Sequence, residues 1–128
     1  MLLLRGDITM YQVRYYQDKN GNCPIRDYLK KLAAGTDKDS RIKLQKIRDY
    51  MAYLCKEGKQ AGEPYMKHLD GEIWEIRPLQ DRFLFAAWDG NRFILLHHFV
   101  KKTQKAPPRE IKQAKRNLAD YEEKGFRR

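Results

Sequence analysis

The chain has 128 residues, with 27 Lys+Arg against 17 Asp+Glu and a formal net charge of +10, which suits one domain with one core. No apolar run approaches the ~18 residues of a membrane span, Met1–Leu4 is too short for a secretory signal and is closed by Arg5 and Asp7, and two cysteines make neither a disulfide framework nor a zinc site. A cytoplasmic protein with reduced thiols is expected, and the excess charge points to a polyanion such as nucleic acid, or else to a basic face that keeps the protein soluble or meets an acidic protein.

Residues 1–9 fit poorly with the patterned chain after them and read as an N-terminal extension, with Met10 a candidate true start. A single domain is expected over 10–124. Tyr11-Gln12-Val13-Arg14-Tyr15-Tyr16 has the β-branched and aromatic content of a strand. Asp18-Lys19-Asn20-Gly21-Asn22 is a turn cluster, and Pro24 then opens a short helix to about Ala34, with Ile25, Tyr28, Leu29 and Leu32 on one face. Gly35 ends it. Asp37, Asp39 or Ser40 can cap a second helix, about Arg41 to Glu57, whose apolar Ile47, Tyr50, Met51 and Leu54 recur at helical spacing before Gly58 stops it. The two helices should form a hairpin laid on a sheet.

From Tyr65 the period changes to that of strands. Tyr65–Leu69 and Glu72–Arg77 flank Asp70-Gly71, a hairpin turn, and Arg82–Trp88 and Arg92–Val100 flank Asp89-Gly90-Asn91. These segments predict an antiparallel meander. Pro108 then sits near the first turn of a terminal helix, about Arg109 to Lys124, with Ile111, Ala114, Leu118 and Tyr121 as its buried stripe. Residues 125–128 read as a frayed tail. Strand, helical hairpin, meander and helix in that order make an α+β fold.

The stretch Leu95–Lys105 is the most informative for chemistry. An apolar strand ends in two histidines, an aromatic and a lysine cluster. Alternation places His97, Phe99 and Lys101 on one face and His98 on the other. That combination can serve a nucleotide: the ring stacks on a base, Lys101 holds phosphate and His97 moves a proton. It is equally a core Phe99, a satisfied His97 and solvated lysines. Arg77 shares a face with Glu75, as a structural pair or as a planar fork for phosphate. Lys67 and Arg82 lie near the ends of neighbouring strands and can converge on it. His68, His97 and His98 lack partners at zinc spacing, and no nucleotide-binding glycine loop occurs. An enzyme of this kind would have a cationic site, which suits RNA cleavage, where the 2′-hydroxyl is the nucleophile.

Residues 10–124 resemble the phage-related, HigB-like branch of the RelE/ParE superfamily of type II toxins. The segments that carry the resemblance are Asp18-Lys19-Asn20-Gly21 followed by Pro24, Lys67-His68-Leu69, Ile73-Trp74-Glu75-Ile76-Arg77, and Leu95 through Pro107, with Glu110, Ile111 and Ala114 extending the last. His98 stands where that branch carries a small residue. The resemblance implies a compact RelE-like fold and an mRNA endoribonuclease that stops translation, working on the ribosome without cofactor or metal. It implies a helix-turn-helix antitoxin (HigA-like) as partner, with operator DNA bound only through the toxin–antitoxin complex and no membrane. By position it implies Lys67, Arg77, His97 and Lys101 as catalytic residues and Arg82, Phe99, Lys102 and Lys105 as RNA-binding ones. The alternatives are a ParE-like gyrase poison and a non-catalytic toxin that only binds antitoxin or RNA. Seven basic residues against one acid between Lys101 and Arg116 concentrate the charge beside this stretch.

Overall fold

The computed structural model describes residues 11–103 and 105–125. The expected extension over 1–9, Met10 as a start, Gln104 within the lysine cluster, and the tail beyond Gly125 lie outside those residues. Strand β1 is Gln12–Tyr15. Helix α1, Pro24–Ala34, opens on its proline, and Gly35 closes it by donating to the Leu32 carbonyl. Helix α2, Lys38–Glu57, takes its cap from Asp37, whose carboxylate accepts from the Ser40 amide. Gly58 ends α2 at φ +64°, ψ −152°. A short 3₁₀ turn over Gly58–Ala61 comes next.

The meander is β2 (Met66–Asp70), β3 (Ile73–Ile76), β4 (Asp81–Ala87) and β5 (Arg92–Val100). The sheet order is β1-β5-β4-β3-β2. The four meander strands are antiparallel, as the turn signals predict. β1 departs from that pattern and pairs with β5 in parallel, Gln12 opposite Arg92 and Tyr15 opposite Leu95. The helical hairpin makes this possible, because it is long enough to carry the chain over one face before the sheet resumes. Helix α3, Pro108–Gly125, includes Gly125 and so runs one residue past the expected end.

Each face of the sheet carries its own core. Ile25, Leu32, Ile47 and Leu54 of the hairpin meet Met66, Ile76, Phe83, Phe85, Phe93 and Leu95 on one side. Ala114 and Leu118 of α3 meet Ile73, Leu84, Ala86, Ile94 and Leu96 on the other. At ~25 cal/mol per Å² of apolar surface, a fully buried Leu or Phe contributes about 2 kcal/mol to either layer. None of the helices formed by the described residues is long and apolar enough to cross a membrane. Both cysteines are free thiols, Cys23 buried and Cys55 half-buried.

One irregularity decides where the chemistry lies. Leu84 pairs with His97, but the next residue, Phe85, pairs with Leu95. Leu96 is the extra residue of a β-bulge. Unbroken alternation from Leu95 would turn His97 and Phe99 toward the helical hairpin. The bulge resets the count, so Phe99 joins the α3 side with Leu96, while His98 turns to the hairpin.

Candidate functional site

The alternation of β3 and β4 on the α3 side brings unusual residues together. Beyond the apolar Ile73 and Leu84 come Glu75, Arg77 and Arg82, with Lys67 opposite Glu75 on β2 and Phe99 opposite Arg82 on β5. Lys101 and Lys105 leave the end of β5 over the same spot. These seven side chains line one pocket of about 220 Å³, closed at its sides by Ala106 and Ile111.

Arg82 is 6% exposed and Glu75 5% exposed, so both sit in the pocket floor. Arg82 is held rigidly: its Nη1 donates to the carbonyls of Leu79 (2.7 Å) and Asp81 (2.8 Å). Leu79 reaches that position with φ +56°, a left-handed conformation unusual for a branched residue. Glu75 lies between the arginines, Oε2 3.4 Å from Arg77 Nε and Oε1 3.9 Å from Arg82 Nε. Burial raises its pKa, and Arg82, Arg77, Lys67 and Lys101 only partly oppose the shift. The ammonium groups of Lys67, Lys101 and Lys105 form no hydrogen bond or ion pair among the described residues, and Arg77 is held only through Nε, beside Glu75. These cations line the pocket around an aromatic ring, a geometry that takes a phosphate and a base.

Of the expected residues, Lys67, Arg77, Arg82, Phe99, Lys101 and Lys105 thus meet in one place. His97 and Lys102 do not line that pocket. His97 Nε2 donates to Glu110 Oε1 of α3 at 2.6 Å, and its ring stacks behind Phe99 with centroids 6.2 Å apart. Lys102 opens onto the adjoining cleft with Thr103, Arg109 and Glu110. Two members of the site are not evident in the sequence. Glu75 reads there only as half of a structural pair with Arg77, and its burial is visible only once β4 and β5 cover it. Glu110 enters only through the resemblance, and its contact with His97 is not readable, because the two are 13 residues apart on different elements.

His98 has a separate role on the hairpin face. It donates to Asp81 Oδ1 (2.9 Å), which also accepts from the Tyr28 hydroxyl (2.6 Å). The Tyr28 and His98 rings stack at 4.1 Å, and Lys43 Nζ stands 3.9 Å from the second oxygen of Asp81. The extra imidazole is thus absorbed by a buried network under β4, directly behind the turn that holds Arg82. Among the described residues no group of three metal-ligating side chains occurs.

Comparison with family models gives a match to Phage derived protein Gp49-like (DUF891) over residues 27–119, well over half of the chain. The match runs from within α1 to the middle of α3 and includes every residue of the pocket. A search of curated proteins gives no match.

Proposed function

The chain belongs to the phage-derived Gp49-like family, a RelE/HigB-type toxin-like family associated with toxin–antitoxin systems, and from that premise we propose that it is an endoribonuclease toxin that cuts mRNA on the translating ribosome. A helix-turn-helix antitoxin neutralises it, and operator DNA is met only through their complex. The observation that carries this reading is the convergence of Arg77, Lys67, Lys101 and Lys105 around Phe99 in one pocket.

Each residue has a task set by its surroundings. Arg77, anchored beside Glu75, clamps the scissile phosphate and meets the charge that develops on the phosphorane. Lys67 and Lys101 flank it and add to that stabilisation. Phe99 stacks on a base. Lys102 and Lys105 bind the RNA backbone on the way in. Arg82, tied to two carbonyls, sets the floor and the local field. His97, tied to Glu110, orients Phe99 from behind.

The test is translation of a defined mRNA in a cell-free extract. Wild type stops synthesis and shortens the message, and Arg77→Ala does so at least ~100-fold more slowly. Intact mRNA and unimpaired translation with wild-type protein would end this reading. Accumulation of cleaved DNA with purified gyrase, in the same preparation, would assign it to the gyrase-poisoning branch instead.

A further inference from the structure

We propose that Glu75 is the proton acceptor of this site, taking the 2′-hydroxyl proton of the nucleotide whose phosphate Arg77 holds. The inference rests on the ribonuclease reading and adds to it the residue that activates the nucleophile.

Position is the first support. Glu75 lies in the middle of β3, flanked by Lys67 on one side and Leu84 on the other. It is among the lining residues of the pocket that holds the free cations. A 2′-oxygen lies within a few bonds of its own 3′-phosphate, so a carboxylate beside the phosphate clamp is also beside the attacking oxygen.

Geometry is the second. A structural carboxylate–arginine pair closes into a two-pronged fork with both bonds near 2.8 Å, roughly. Glu75 makes no such pair. Its approaches to Arg77 and Arg82 are 3.4 Å and 3.9 Å, and it accepts no hydrogen bond from any described donor. Arg82 spends its Nη1 on backbone carbonyls instead. Glu75 is also absent from the sealed, partnerless polar atoms of the described residues, which are Arg77 Nε and Asp81 Oδ2. Its oxygens therefore open onto the cavity with their lone pairs unused.

Elimination is the third. The other polar groups facing this cavity are mostly cations at neutral pH, which stabilise charge but have no lone pair to receive a proton. His68, also in the lining, engages the Gly71 carbonyl of its own turn. His97 is bonded to Glu110 and does not reach the pocket. Burial meanwhile raises the Glu75 pKa above the ordinary carboxylate value, toward the range where a base works best.

The 2′-oxygen forms a bond to phosphorus and gives its proton to Glu75. The bond from phosphorus to the 5′-oxygen breaks, and that oxygen leaves with a proton from the Lys101 ammonium. The products are a 2′,3′-cyclic phosphate and a free 5′-hydroxyl. Glu75 returns its proton to solvent and Lys101 regains one, so the site is restored.

The experiment measures single-turnover cleavage of a defined mRNA on programmed ribosomes, from about pH 5 to about pH 8. Affinity is read in parallel with the same message carrying 2′-deoxy at the cut site. Glu75→Gln keeps the shape and removes the acceptor. Its cleavage should fall ~10²- to 10⁴-fold, while binding to the deoxy message stays within about threefold of wild type. The wild-type rate should climb with pH along an acidic limb, which Glu75→Gln lacks and Glu75→Asp retains at reduced rate. Retained binding shows that the variant is folded. Cleavage by Glu75→Gln at the wild-type rate, an unchanged acidic limb in that variant, or a loss fully matched by lost binding would each overturn the assignment. Failure of wild type to cleave any message would instead remove the ribonuclease reading, and Glu75's role with it.

Discussion

Asp81 shows how a single residue can serve two faces of a sheet. Its carboxylate is wholly buried and gathers Tyr28, His98 and Lys43 on the hairpin side. Its own carbonyl, on the main chain, anchors Arg82 for the pocket. Burial alone would raise its pKa, but the hydrogen bonds from His98 and Tyr28 and the Lys43 charge outweigh that and hold it below the usual 3.8. A carboxylate with a lowered folded pKa stabilises the protein above its unfolded value, and that stability is lost as pH falls through the folded one. Asp81→Ala should therefore cost about 2 kcal/mol at neutral pH, because it strands two half-buried donors, Tyr28 and His98. Asp81→Asn keeps an acceptor and should cost less. Urea titrations of both variants should show the deficits shrinking as the pH is taken below about 4, and pH-independent deficits would contradict the network.

Among the elements, the end of α2 is the most sharply specified. Gly58 has φ +64° with an extended ψ, and a Cβ there would sit 2.7 Å from the ring of Tyr11. Tyr11 in turn donates its amide to the Cys55 carbonyl and packs on Phe93, so it cannot yield freely. Gly58→Ala should destabilise the fold by about 2 kcal/mol or more, read as a lowered melting temperature, while Gly21→Ala, at a left-handed but open turn, should cost only about 1 kcal/mol. Much at this scale is legible from residue order. Pro24, Asp37 and Gly58 mark helix ends, Asp70-Gly71 marks a hairpin, and alternation separates His97 from His98. The bulge at Leu96 is not legible, since nothing in Leu95-Leu96-His97 distinguishes two successive residues on one face from a regular strand. That slip decides which face Phe99 and Lys101 serve. The parallel seat of β1 also escapes the local signals, because pairing between distant strands leaves no mark on either one alone. The face of Glu75, shared with Arg77, is readable from the strand period, but its burial depends on strands that come after it.

For the whole molecule, charge and shape act together. Of the net charge of +10, seven basic residues against one acid lie between Lys101 and Arg116, at the mouth of the pocket and on the first half of α3, where Arg109, Lys112, Lys115 and Arg116 are all exposed. Single-stranded RNA binding should weaken with salt at a log–log slope of about −0.7 per phosphate engaged, hence roughly −3 for a footprint of four to five phosphates. Fluorescence anisotropy across a salt series measures it, and a flat dependence would argue for a partner read by shape. Distance along the chain matters as much as charge. In the β1–β5 ladder Gln12 must wait for Arg92 and Tyr15 for Leu95, and loop closure on that scale makes sheet assembly a late event. Phe99, Lys101, Lys105 and α3 are synthesised later still. A partly made copy that lacks β5 therefore has neither a closed sheet nor a pocket, because the pocket draws Lys67, Glu75 and Arg77 from early strands and Phe99 and Lys101 from the last. On the proposed activity, such a copy has the phosphate clamp without the ring that stacks on the base, and it cannot yet cut.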